Sequence, residues 1–121
     1  MKNAKILILD DNSIIALALK TQLESHGYND ISVVSTGEQA VEIAKHWQPN
    51  IIFADIQLNG SIDGIEAVSQ IRTRQEISVI YITGDVDLKH DQRLIATKPA
   101  ATIEKPYDNL IVMQALKNVI Q

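Results

Sequence analysis

Strand-length apolar runs alternate with helix-length amphipathic stretches along the whole chain, and no other feature restricts the fold as much. Ile6-Leu7-Ile8-Leu9, Ile51-Ile52-Phe53-Ala54, Val79-Ile80-Tyr81-Ile82 and Ala101-Thr102-Ile103-Glu104 are too short for buried helices and are bounded by polar or turn-forming residues. With a further run at 31–34, the pattern predicts strands at 5–10, 31–34, 50–55, 78–83 and 101–104. Helices fill the intervals and close the chain. A repeated strand–helix unit builds a parallel sheet, and right-handed crossovers place helices on both of its faces.

Local signals set the helix boundaries. The first helix opens at Asn12-Ser13, carries an apolar stripe through Ile15, Leu19 and Leu23, and stops at Gly27, a natural left-handed cap. Thr36 with Gln39, and Asp63 with Glu66, have the three-residue spacing of capping boxes and start the second and third helices. The stretch 87–96 predicts a polar, weakly periodic fourth helix, the element expected to be mobile. In the last helix, from 108 onward, Leu110, Met113, Leu116 and Ile120 are expected to face the sheet. Ile111, Ala115 and Val119 form a second apolar line, either buried against the first helix or exposed for association.

At 121 residues with 45% hydrophobic content, the chain reads as one domain spanning 1–121. A net charge of −4 and the lack of a Lys/Arg cluster argue against a nucleic-acid groove. The absence of cysteine excludes disulfides and thiolate sites. The first residues, Met1-Lys2-Asn3-Ala4-Lys5, lead straight into a strand-length run, so neither export nor membrane insertion is expected, and a cytoplasmic location is.

Chemically useful residues close four of the runs. Asp10-Asp11, Asp55, Thr83 and Lys105-Pro106 lie at the carboxyl ends of four expected strands, where open α/β sheets bind ligands. Each has an ordinary reading alone: Asp10-Asp11-Asn12 as a helix start, Asp55 as a turn residue, Lys105-Pro106 as a strand end. Together they describe a crevice. Two carboxylates ~4 Å apart repel by roughly 4 kcal/mol at an effective dielectric near 20, so the acidic group calls for a cation. Oxygen donors without nearby His or Cys suit a hard divalent ion, best Mg²⁺, with Asp11 and Asp55 as direct ligands and Asp10 acting mainly through water. His26, His46 and His90 lack metal spacing, and Trp47, at the opposite pole, is assigned to packing, as is Tyr107.

Taken together over the whole chain, these residues resemble the receiver domain of two-component response regulators. The resemblance implies a flavodoxin-like, doubly wound five-stranded sheet of order 2-1-3-4-5 with five helices. It further implies that Asp55 accepts a phosphoryl group from a histidine kinase or histidine phosphotransfer protein, as carboxylate nucleophiles can. Gln57 would supply a backbone carbonyl to the metal. Lys105 and Thr83 would each take a phosphoryl oxygen, Thr83 moving toward the phosphate as a switch, and Gly84 would leave the donor room. Such a domain modifies itself without being a turnover enzyme. A cis peptide before Pro106, and a homodimer or partner surface on the last helix face, are implied in the same way.

Three positions depart from the pattern. The loop from Asp55 to Gly64 is about one residue longer than usual and lacks a proline, Thr102 stands where an aromatic is common, and Ala96-Thr97-Lys98-Pro99-Ala100-Ala101 replaces a Gly-Ala pair. Rival readings are an aspartate-nucleophile phosphatase of the haloacid dehalogenase type, a flavodoxin-like nucleotide or flavin module, and a degenerate receiver that only binds partners. The first wants a second Asp where Asn12 stands, and the second a Gly-rich loop after the first strand.

Overall fold

The computed structural model describes residues 3–120. Strands β1 (Ile6–Leu9), β2 (Ile31–Val34), β3 (Ile51–Asp55), β4 (Ser78–Thr83) and β5 (Ala101–Glu104) form one parallel sheet in the order β2-β1-β3-β4-β5. The helices are α1 (Ser13–Ser25), α2 (Gly37–Trp47), α3 (Gly64–Arg72), α4 (Gln92–Ala96) and α5 (Asn109–Ile120).

Alternate residues of β1, β3 and β4 enter different cores. Ile6, Ile8, Phe53 and Ile80 pack with Leu19, Val112 and Leu116 beneath α1 and α5. Leu7, Leu9, Ile52 and Ala54 pack with Ala40, Val68 and Leu94 beneath α2, α3 and α4. Burial on both faces explains why β1 and β3 read as unbroken apolar runs. Each fully buried Ile or Leu contributes about 1.5–3 kcal/mol. Register then aligns the strand ends: Leu9 lies beside Ala54, Asp55 beside Ile82, and Thr83 beside Glu104.

Capping residues fix how the chain leaves that edge. Asn12 Oδ1 accepts from the amides of Ile14 and Ile15, and Gly27 ends α1 in the left-handed region at φ 91°. Thr36 and Gln39 complete a reciprocal capping box at α2. Asp63 accepts from the Glu66 amide, but Glu66 uses its carboxylate on Gln70 instead of returning the bond.

Other expectations are revised or resolved. The fourth helix is two pieces, a 3₁₀ turn at Val86–His90 and the five-residue α4, because Asp91 is extended (φ −61°, ψ 128°) and caps a fresh start at the Arg93 amide. In α5 Leu116 is buried and Met113 and Ile120 pack against the same core as expected, but Val112 and Ala115 take the other deep positions and Leu110 points outward. Ala115 and Val119 follow the buried alternative, whereas Ile111 is 45% exposed. In α1, Ala16 takes the deep position expected of Ile15, since a small residue lets the helix sit closer to the sheet. Among the described residues, no helix is long and apolar enough to cross a membrane.

Candidate functional site

The β1–α1 junction presents Asp10 and Asp11, β3 ends on Asp55, β4 on Thr83, and Lys105 follows β5. Carboxylate oxygens of Asp10, Asp11 and Asp55 all lie within 4.8 Å of one another. Opposite them, Lys105 Nζ donates to Asp55 Oδ2 at 3.1 Å and stands 3.9 Å from Asp10 Oδ2. The Lys105–Pro106 peptide is cis.

Asp10 and Asp55 are buried, and Asp11 is half-buried. Burial, the largest influence, pushes the Asp55 carboxyl above its ordinary value; Lys105 pulls it down, and repulsion from Asp10 and Asp11 pushes it up. The Tyr107 hydroxyl is also pushed up, first by burial and then by Asp10 and Asp55. Three converging carboxylates offer a hard, all-oxygen donor set, which suits Mg²⁺ better than a softer ion.

Backbone amides orient two of the acids. The Asn12 amide donates to Asp10 Oδ1 at 2.9 Å, and the Asn59 amide to Asp11 Oδ2 at 3.0 Å. Asn59 belongs to the lengthened loop, which is also fastened to α2 through the amide and hydroxyl of Ser61 on Glu38. Gly60 within it adopts φ 111°. Where the loop enters α3, a Cβ on Gly64 would lie 2.1 Å from the Asp55 carbonyl oxygen, so only glycine permits this approach. Gln57 is exposed and shares a concavity with Asp11, Leu58, Asn59, Asp63 and Leu88.

Thr83 is fully buried and its hydroxyl faces the loop beyond β4, accepting from the Asp85 amide at 3.0 Å and donating to the Asp85 carbonyl at 3.3 Å. A side chain at Gly84 would meet nothing within 4 Å, which leaves that approach open. Trp47 packs against the second core at the far pole. The Asn12 side chain is committed to capping α1 and takes no part in the acidic group, unlike the second acid of a dehalogenase-type phosphatase.

Sequence reasoning missed Asn59 and Asp85, whose contributions come from the backbone and carry no side-chain signature. It also missed a cavity of about 470 Å³ between α1 and the Lys105–Tyr107 turn, lined by Ile15, Leu19, Pro106 and Tyr107. Residues 6–117 match the family model described as the response regulator receiver domain. The phyllosphere-induced regulator PhyR of Methylorubrum extorquens is 34% identical over 93% of this chain, which spans 43% of that protein. The alkaline phosphatase synthesis transcriptional regulatory protein PhoP of Bacillus subtilis is 35% identical over 76% of the chain and 38% of its own length. The signal receiver domain of a modulated diguanylate cyclase from Desulfovibrio desulfuricans superimposes with a TM-score of 0.88 at 30% identity, covering 98% of this chain and 94% of that one.

Proposed function

The chain belongs to the response regulator receiver family, and from that premise we propose that it is a receiver unit spanning 1–121 whose Asp55 accepts a phosphoryl group from the phosphohistidine of a sensor kinase or phosphotransfer protein. One observation carries the reading: Lys105 reaches across the sheet edge to Asp55 and Asp10 while three carboxylates converge around the same point. A Lys held 3.1 Å from a buried carboxylate neutralises it without proton transfer, which leaves the carboxylate ionised as a nucleophile.

An Asp55 oxygen forms the new bond to phosphorus as the phosphorus–nitrogen bond of the donor breaks, and the released imidazole takes up a proton. The loose transition state asks for position and charge neutralisation more than for acid–base chemistry. Lys105 is placed to pair with one phosphoryl oxygen. Thr83 reaches another by giving up its bonds to Asp85. Asp10, Asp11, Asp55 and the Gln57 carbonyl would hold Mg²⁺, which when bound neutralises phosphoryl charge. The product is a modified receiver, and turnover of a separate substrate is no part of the reading. Self-association or partner binding through the α5 face would involve exposed Ile111 in place of Ala115.

Acetyl phosphate with Mg²⁺ is expected to add one phosphoryl mass to the intact protein, and Asp55→Asn to abolish the addition while preserving the fold. Peptide mapping that located the label on a Ser, Thr or His would sink the reading.

A further inference from the structure

Arg93 joins the starts of two helices. Its Nη2 lies 2.7 Å from Asp63 Oδ2 and 3.3 Å from Asp91 Oδ2. Asp63 caps α3 through its other oxygen, which accepts from the Glu66 amide, and Asp91 caps α4 through the Arg93 amide. Asp63 also forms part of the wall beside Asp11 and Gln57, so the tie lies at the mouth of the acidic site.

The far end of α4 is fastened by different chemistry. The buried Thr97 hydroxyl donates to the Leu94 carbonyl at 2.6 Å, which leaves the Tyr81 hydroxyl as its donor partner at 2.8 Å. Tyr81 is fully buried on β4. One end of α4 is therefore pinned by dry, neutral hydrogen bonds, and the other by ion pairs on a guanidinium side chain that is 54% exposed. The rest of the segment is held sparsely: Leu94 is the buried residue of α4, the 3₁₀ turn has none, Leu88 packs only partly against the second core, and Lys89 Nζ reaches Glu104 Oε1 on β5 at 2.9 Å through half-exposed side chains. A segment with so uneven an anchorage opens at its weak end. Leu88, which shares the concavity with Asp11 and Gln57, rides on that end, and Asp85 there is the residue to which Thr83 is bonded.

We propose that residues 85–96 form a lever hinged at Thr97 and Tyr81 and latched by Arg93 to Asp63, and that this latch sets how readily a phosphodonor reaches Asp55. Arg93 is a positioning residue, acting through the placement of the 3₁₀ turn. The effect on rate rests on Asp55 being the phosphoacceptor, whereas the opening itself does not.

Two variants separate the latch from helix capping. Arg93→Ala removes the guanidinium, and Asp63→Asn removes the charge while an Asn oxygen still caps α3. At saturating Mg²⁺ each is expected to raise the acetyl phosphate labelling rate by about two- to fivefold, the range that exposed ion pairs support. Amide hydrogen exchange in 85–91 should quicken by a similar factor in the unlabelled protein, while β5 stays unchanged. The double variant should be no faster than either single one, and Arg93→Lys should fall between. Wild-type exchange in both single variants overturns the latch, as does an additive double variant. A wild-type protein that takes no label removes the phosphoacceptor reading instead, and the exchange result alone then decides for or against the latch.

Discussion

Asp55 and Gly64 show how a single position can be fixed by its neighbours. Asp55 has a carboxyl raised above its ordinary value of 3.8 chiefly by burial, so the native state binds its proton more tightly than the unfolded chain. Its contribution is then fully present below the ordinary carboxylate value and is lost as pH rises through the raised one. Asp55→Asn is accordingly expected to raise the metal-free melting temperature at neutral pH, and the gain should shrink as the buffer is lowered in ~0.5-unit steps through the raised value toward the ordinary one, and be gone below it. An unchanged or lowered melting temperature at pH 7 would show that the Lys105 ion pair outweighs burial. At Gly64 the constraint is steric. A methyl group there would meet the Asp55 carbonyl oxygen at 2.1 Å, and backbone cannot step aside as a side chain can. Gly64→Ala should cost about 1–3 kcal/mol by chemical denaturation and slow the proposed labelling of Asp55, because α3 is forced off the end of β3. Gly84→Ala, with open space around its Cβ, should leave stability within about 0.5 kcal/mol of the parent.

The elements differ in how much local sequence determines them. β2, β4 and β5 begin and end where apolar patterning places them, and Asn12, Thr36 and Asp63 mark their helices because a cap is a short-range hydrogen bond. Residues 86–96 are harder to read. Their charges give no period, and Asp91 divides them by capping the second piece, a choice made by φ and ψ that composition does not record. The phase of α5 is likewise tertiary: Leu110 and Leu116 look equivalent in sequence, yet Leu110 is exposed and Leu116 fully buried, since packing against β5 and α1 decides the rotation. Ala115, 8% exposed, has no room for a guanidinium. Ala115→Arg should therefore destabilise the fold by several kcal/mol, about 3 or more if the charge stays buried. Ile111→Arg should fold normally, and in sedimentation with beryllofluoride it is the variant that reports on association through α5. At the hinge of α4, Tyr81→Phe leaves Thr97 still bonded to Leu94 and should cost about 1 kcal/mol, whereas Thr97→Val orphans the buried Tyr81 hydroxyl and should cost about 1–3 kcal/mol. Equal losses would mean that water reaches the Tyr81 hydroxyl.

At the scale of the molecule, parallel topology turns scattered residues into one site. Asp10, Asp55, Thr83 and Lys105 are far apart in sequence, but the register of β1, β3, β4 and β5 brings their strand ends level, and a βα repeat alone is enough to anticipate that convergence. Contacts made by backbone amides, such as Asn59 on Asp11, and the reach of Arg93 to Asp63 across 30 residues lie beyond such reasoning, because loop paths are not periodic. The same convergence concentrates negative charge at one edge of the sheet, with Lys105 as its ion-pair partner among the described residues. Folding without a cation thus works against repulsion, and any ion that binds the native state alone must stabilise it. Mg²⁺ at a hundredfold excess over its dissociation constant would add about 2.7 kcal/mol, or roughly 10 °C for a domain of this size. Asp11→Asn removes one charge from the cluster while its side-chain oxygen can still accept the Asn59 amide. It is expected to melt higher than the parent in EDTA and to lose most of the Mg²⁺-dependent increase. Ca²⁺ should stabilise the parent less at equal concentration if the cluster has the compact octahedral preference of the smaller ion. A parent protein whose melting temperature is the same in EDTA and in millimolar Mg²⁺ would remove the cation from the site, and with it the charge neutralisation that the proposed phosphoryl transfer to Asp55 calls for.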